Sequence, residues 1–118
     1  MDAAHAVTAL AALAQESRLL IYRLLVQAGP TGLSVGEIGA SLRVAPATLS
    51  FHLKELSHAE LVASRQVGRF IYYSANYREM NGLLAYLTEN CCASDATACA
   101  PSCGTPKSRR LQRDKSKA

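Results

Sequence analysis

The stretch from Ile38 to Ser74, IGASLRVAPATLSFHLKELSHAELVASRQVGRFIYYS, contains the elements that decide the fold. Just before it, Ser34 and Glu37 have the spacing of a capping box, which predicts the start of a short helix. A three-residue turn then leads to Pro46, and proline favours the first helical position because its missing N–H needs no partner there. We therefore expect a second helix from Pro46 to about Ala59.

The sequence period changes after this second helix. Residues 61–65 and 69–73 are rich in β-branched and aromatic side chains, and they flank Gln66-Val67-Gly68. Gly68 can adopt a positive φ angle, so the pattern predicts a β-hairpin that turns at these three residues. Two helices joined by a short turn and followed by a hairpin describe a winged helix-turn-helix, within a chain that is otherwise mainly α-helical.

Three more helices are expected outside this stretch. An alanine-rich helix over about residues 3–14 has Val7, Leu10 and Leu13 on one stripe, and its alanines permit close helix approach. A helix over about residues 17–28 is expected to end at Gly29-Pro30 and to direct four apolar side chains inward, namely Leu20, Ile21, Leu24 and Leu25. The last helix starts near Asn76 and has an apolar stripe formed by Met80, Leu83, Leu84 and Leu87.

A helical wheel over residues 46–57 separates two faces of the helix that follows the turn. Leu49, Leu53 and Leu56 cluster on one side and are expected to form the core seam. The opposite side and its flanks carry no acidic residue and are predicted to contact DNA through Ala47, Thr48, Ser50, Phe51 and Lys54. His52 lies at a flank, where we expect a hydrogen-bonded structural histidine rather than a ligand.

The charge of the chain is unevenly distributed. Its net charge is +4, but residues 107–118 alone contribute +5 and residues 1–106 contribute −1. Residues 41–73 are locally positive, by +2. Arg65 and Arg69 flank the expected hairpin tip, where a wing would meet the DNA backbone or minor groove, although edge strands also carry such charges for other reasons. We expect 107–118 to be a disordered basic tail.

Length and composition exclude several classes of protein. With 118 residues and 49% hydrophobic residues, the chain is expected to form one folded domain without a membrane span. No Lys or Arg precedes the first apolar segment, so we expect no secretory signal and a cytoplasmic protein. A thiol oxidoreductase is the alternative from a different class, but the chain has no Cys-x-x-Cys motif and no P-loop, so we expect no enzyme.

Residues 38–74 resemble the ArsR/SmtB family of bacterial metal-responsive repressors. The resemblance rests on a recognition-helix pattern that here reads Ser50-Phe51-His52-Leu53 with Leu56, then Leu61-Val62, Gly68-Arg69 and Tyr72-Tyr73. Glu60 departs from the pattern, because the family usually has glycine before Leu-Val. The resemblance covers about residues 7–90. It implies a winged helix-turn-helix domain over residues 1–90 that forms a homodimer through its first and last helices and binds an inverted repeat in double-stranded operator DNA.

All four cysteines lie within residues 91–103. In a reducing compartment such a cluster favours thiolates that bind a soft metal or metalloid over a set of disulfides. Zinc or cadmium bound by all four thiolates is one alternative, and a redox switch is another. Vicinal Cys91 and Cys92 do not have the paired spacing of a common zinc knuckle.

The resemblance also bears on this cysteine-rich segment, residues 91–106. It is similar to family members whose arsenite site is C-terminal, with adjacent cysteines and one more several residues later. By that resemblance the ligands would be Cys91, Cys92 and Cys99, with Cys103 a spare or a fourth ligand. The expected function is a repressor of an arsenic-resistance operon, released from DNA when arsenite or antimonite binds these thiolates.

Overall fold

The computed structural model describes residues 1–91. Residues 1–86 form one compact unit, and a second unit starts at Leu87. Five helices and three strands follow one another along the described chain. They are α1 (Ala3–Leu13), α2 (Glu16–Ala28), β1 (Leu33–Ser34), α3 (Val35–Leu42), α4 (Pro46–His58), β2 (Val62–Val67), β3 (Phe70–Ala75) and α5 (Tyr77–Leu87). The order confirms the winged helix-turn-helix, with α3 and α4 as its helix pair and β2–β3 as its wing.

The start of the helix pair forms as its sequence predicts. The Ser34 side chain accepts a hydrogen bond from the Glu37 amide at 3.2 Å, and the Glu37 carboxylate accepts one from the Ser34 amide at 2.8 Å. This reciprocal capping box satisfies two amides that the first turn of α3 would otherwise leave unpaired. Pro46 occupies the first turn of α4, also as predicted.

The sheet has one strand more than the hairpin alone provides. Its order is β1-β3-β2 and both pairings are antiparallel, with Leu33 opposite Tyr73 in the short additional strand. Gly32, directly before β1, has φ +75°, and a Cβ atom there would collide with the carbonyl oxygen of Tyr73. Glycine is therefore required for β1 to approach β3. A two-residue strand has no period to detect, so the sequence did not predict it.

The turn of the hairpin is shorter than expected. The prediction of a turn at Gln66-Val67-Gly68 is wrong, because Val67 belongs to β2 and pairs with Phe70. Gly68 and Arg69 alone connect the strands, and Gly68 has φ +61°. A two-residue hairpin turn with glycine first and a positive φ there matches the right-handed twist of the strands, which explains why pairing extends this far.

The core lies where α4 meets α2 and α3. Leu49, Leu53 and Leu56 are buried as the helical wheel predicts, and they belong to one cluster with Ile21 and Ile38. The expectation that Leu20 points inward is wrong, since it is 44% exposed. The buried residues of α2 are Ile21, Tyr22 and Leu25. Burial, with Tyr77 and Glu79 nearby, raises the pKa of the Tyr22 hydroxyl above its usual value, which keeps it protonated.

Helix α1 packs against its neighbours with the face that carries small side chains, and larger apolar side chains lie on the opposite, exposed face. Ala6, Ala9 and Ala12 are buried, whereas Val7 is 63% exposed and Leu10 is 42% exposed. The stripe predicted from the sequence therefore places Val7 and Leu10 on the exposed side of α1, and the alanines make the close helix approach that their size permits. Small side chains let α1 approach α2 and α4 closely, and the close-packed interior leaves no room there for valine or leucine.

The end of α4 shows why Glu60 is tolerated at a position where the family usually has glycine. Glu60 has φ +64°, the left-handed conformation in which glycine is the usual residue. The Leu61 amide donates to the Leu56 carbonyl at 3.0 Å and the Glu60 amide donates to the Ser57 carbonyl at 2.9 Å, the pair of bonds in a Schellman motif. The Asn76 side chain also donates to the Glu60 carbonyl at 2.9 Å, which holds this corner against the start of α5.

Candidate nucleic-acid interface

The exposed face of α4 is the centre of the candidate site. Each predicted contact residue on this helix is exposed: Ala47, Thr48, Ser50, Phe51 and Lys54. The leucines on the opposite side hold this face outward, so its position is set by the core and not by a flexible loop. Hydroxyls, an aromatic ring, a methyl group and one ammonium can together contact base edges, thymine methyls and a phosphate.

The first turn of α4 adds a backbone contribution that is independent of side-chain type. Ala45 is the N-cap, and this helix start has no side-chain cap hydrogen bond. The amides of Ala47 and Thr48 therefore point out of the helix start at the same end as the exposed hydroxyls. Amides at a helix N-terminus, assisted by the helix dipole, favour an anion such as a DNA phosphate.

His52 is buried between the two faces of α4. Its side chain contacts the Phe51 ring, with ring centroids 5.8 Å apart at a tilt of 60°. The hydrogen bond expected of a structural histidine is missing at Nδ1, which is buried and has no partner among the described residues. The ring therefore supports Phe51 from behind by packing and is not itself presented to DNA.

The two wing arginines have different surroundings, although the sequence suggests equivalent roles. Arg65, within β2, donates a hydrogen bond to the Thr31 carbonyl at 2.8 Å, and its guanidinium lies 5.1 Å from the centre of the Tyr72 ring. Arg69 lies in the turn itself and is exposed. Arg69 is thus placed to meet a phosphate directly, whereas Arg65 first stabilises the base of the wing.

Sequence reasoning did not identify the apolar side chains of the wing. Val67, Phe70 and Ile71 are all exposed, and Phe70 is 62% exposed beside the turn. The unbroken apolar run Phe70-Ile71-Tyr72-Tyr73 contained a signal, because a strand with apolar side chains on both faces must expose one face unless something covers it. Val67 and Phe70 are paired across the two strands and share one face of the wing, whereas Ile71 lies on the other face.

The predicted thiol ligands lie mostly beyond the described residues. Cys91 is exposed, and its amide donates to the Thr88 carbonyl at 2.9 Å. Cys92, Cys99 and Cys103 fall outside residues 1–91, as does the basic segment 107–118. Their ligand roles and the bounds of the cysteine-rich segment stay predictions. Within the described part of the chain, no helix is both long and apolar enough to cross a membrane.

The chain has a short helix pair, an acid-free exposed face on the second helix of the pair, and a wing hairpin within a three-stranded sheet. These features define a winged helix-turn-helix of the DNA-binding class. Residues 13–65 match the sequence family described as helix-turn-helix domain. The arsenical resistance operon repressor of Bacillus subtilis (strain 168) is 40% identical over 81 residues, which span 69% of this chain and 73% of that protein. The chain belongs to the ArsR family of transcriptional regulators, which act on DNA and are not enzymes.

Solved structures agree with this assignment. An ArsR-like transcriptional regulator from Rhodococcus sp. RHA1 superposes with a TM-score of 0.66 at 31% identity, over 76% of this chain and 81% of that one. A homodimeric winged helix-turn-helix DNA-binding domain from Mycobacterium bovis superposes with a TM-score of 0.58 at 25% identity, over 73% and 80%. These similarities confirm the family and the fold expected from the sequence.

Proposed function

We propose that this chain is the repressor of an arsenic-resistance operon. In this proposal a homodimer binds double-stranded operator DNA with an inverted repeat, and binding of arsenite or antimonite to C-terminal thiolates releases it. The observation that carries the DNA half is the exposed, acid-free face of α4, held outward by three buried leucines. The similarity to the Bacillus subtilis arsenical resistance operon repressor supports the inducer half.

The DNA contacts follow from what each exposed group can do. Lys54 neutralises a phosphate, while Thr48 and Ser50 hydrogen-bond to base edges or phosphates, and Ala47 and Phe51 contact thymine methyls. The face has no Arg, Asn or Gln for a bidentate base contact, so discrimination depends on apolar contacts and on DNA shape. Arg69 and Arg65 would contact the DNA backbone or minor groove from the wing.

Dimerisation is supported by apolar side chains that residues 1–86 leave exposed. Val7 and Leu10 lie on the outer face of α1, and Leu84 of α5 is 53% exposed. A second copy of the chain would cover such surface, and a two-fold dimer presents two recognition helices to two half-sites one helical turn apart. The homodimeric relative from Mycobacterium bovis supports the same arrangement.

The inducer half rests on thiol chemistry. Trivalent arsenic is soft and favours thiolate ligands, and three thiolates can be supplied by Cys91, Cys92 and Cys99. If the liganded dimer binds operator more weakly, the coupling is reciprocal, and operator must weaken arsenite binding by the same factor. Adjacent cysteines followed by small residues allow the third sulfur to reach the same centre.

Fluorescence anisotropy of labelled operator DNA tests both halves. Reduced wild-type protein is expected to bind the operator, and saturating arsenite should weaken that binding by about 5–150-fold, the usual range of allosteric coupling. Cys91→Ser and Cys92→Ser should keep DNA binding and lose release, while Cys103→Ser serves as the matched control that keeps it. A complex that survives arsenite with its thiols reduced would exclude arsenite as the inducer.

The same titration distinguishes the alternative inducers. Zinc or cadmium held by four thiolates would require Cys103, so Cys103→Ser would then abolish release by those ions. Release by oxidant and recovery by a dithiol would instead identify a redox switch. Metalloid stoichiometry for wild type and each Cys→Ser variant, measured beside DNA release, fixes the ligand set.

A further inference from the structure

A second group of metal-ligating side chains lies away from the cysteines and from the exposed face of α4. His5, Glu60 and Glu79 each offer one ligand atom, and these three atoms lie within 4.8 Å of one another. His5 belongs to α1, Glu79 to the first turn of α5, and Glu60 to the corner directly after α4. Three separate segments of the chain thus bring an imidazole and two carboxylates to one point.

The backbone of each of these residues is held by hydrogen bonds within or beside its own segment. His5 Nε2 and Glu79 Oε2 are 2.7 Å apart, with Glu79 the more buried of the two side chains. The His5 amide donates to the Asp2 side chain at 2.8 Å, which fixes the start of α1. The backbone of Glu60 is fixed beside the pair by the Schellman motif and by Asn76, while its side chain is exposed.

The charges of this group are unbalanced. Glu60 and Glu79 are two carboxylates within 4.8 Å, and one imidazole can offset at most one negative charge. Like charges at this spacing repel unless a cation lies between them. A divalent cation would balance both carboxylates and leave the imidazole neutral, which is the form that binds a metal.

The group also opens onto a cleft with room for an ion and its solvent. His5 and Glu60 line a cleft of about 240 Å³ together with His58, from the last turn of α4, and Thr8 of α1. Three ligands supplied by the chain and an accessible fourth position, open to water or to His58, are the composition of a divalent transition-metal site.

The geometry points to a binding site for a borderline divalent cation, with zinc as the best match, formed by His5, Glu60 and Glu79. Imidazole selects against magnesium and calcium, which prefer oxygen ligands alone, and the lack of thiolates selects against arsenic. Zn–N and Zn–O bonds of about 2.0–2.2 Å place tetrahedral ligand atoms about 3.3 Å apart. The 2.7 Å pair must open slightly and Glu60 must close in, both movements within side-chain rotations.

The position of this site indicates what the ion would do. It would join α1 and α5 to the corner between α4 and β2, where the recognition helix ends and the wing begins. Binding to the folded state alone raises the stability of that state as the ligand concentration increases. The site is independent of the thiols and of the proposed inducer, since none of its ligands is a cysteine.

Zinc titration of the full chain with all four cysteines changed to serine tests the site, because this background removes thiolate binding. Isothermal titration is expected to show one zinc ion per chain and a melting temperature that rises with added zinc. Glu60→Gln and His5→Ala in the same background should each weaken zinc binding about tenfold or more, as even outer-shell changes at metal sites do.

Two controls keep this test decisive. Glu60→Gln keeps the size of an exposed side chain and should leave the zinc-free melting temperature unchanged, so a missing zinc response cannot be attributed to unfolding. Glu16→Gln, an exposed carboxylate on α2, should bind zinc as the background does. No saturable zinc binding, or equal binding in Glu60→Gln and the background, would overturn the inference.

Discussion

Helices α1 and α4 have similar lengths and opposite arrangements of side-chain size. α4 buries Leu49, Leu53 and Leu56 and exposes small, polar or singly charged groups, apart from Phe51. α1 buries alanines and exposes Val7 and Leu10. The helical period of the apolar residues therefore locates an apolar stripe on a helix. The space left by neighbouring helices decides whether large or small side chains face the core.

The two helices consequently suit different tasks. The large apolar side chains of α4, apart from Phe51, are buried within one chain. The outer face of the helix is therefore available for a polar ligand such as DNA. The outer face of α1 is itself apolar, and this is the kind of surface that a second copy of the chain would cover. Three substitutions test this difference between the helices.

The largest effect is expected on α4. Leu53→Ala removes a fully buried side chain from the core seam and should lower the free energy of unfolding by about 2–5 kcal/mol, because a cavity remains. Urea denaturation followed by circular dichroism measures this. Leu19→Ala, at a leucine exposed on α2, is the matched control and should change stability by less than about 1 kcal/mol. Equal losses of stability in both variants would contradict the assigned core.

A second effect is expected on α1 and concerns assembly. Leu10→Lys places a charge on the apolar outer face and should convert the proposed dimer to monomer at micromolar concentration, because an unpaired charge is costly to bury. Light scattering after size exclusion gives the mass directly. Phe70→Lys on the wing should remain dimeric. A Leu10→Lys protein that keeps the wild-type mass would remove α1 from the interface.

The smallest effect is expected at the outer face of α4. Lys54→Gln should weaken operator binding several-fold and reduce the slope of log affinity against log salt by about 0.9 for each phosphate that is no longer neutralised, one per subunit. Anisotropy titrations at several salt concentrations measure the slope. Arg23→Gln, an exposed cation on α2, provides the matched control and should leave the slope unchanged. An unchanged slope in Lys54→Gln would mean that Lys54 contacts no phosphate.

Local signals predicted the helix-turn-helix and its exposed face. The Ser34–Glu37 capping box, Pro46 and the leucine period of α4 each act within a few residues, and all appear in the structure as predicted. The orientation of α1, the pairing of β1 with β3 and the contact of His5 with Glu79 join residues far apart in the chain. Local spacing in the sequence contains no information on such contacts, which explains why the sequence did not predict them.

The contacts at the base of the wing bear on how the wing and the helix pair can move relative to each other. Ser34 is at once the end of β1 and the cap of α3, and Arg65 ties β2 to the neighbouring Thr31. β1 therefore continues directly into the helix pair, and Arg65 ties the other edge of the sheet to the segment just before β1, so we expect the wing and α3 to move together. In the proposed dimer, the inducer would then change the spacing between the two recognition helices, and the arrangement of wing and helix pair within each subunit would stay the same.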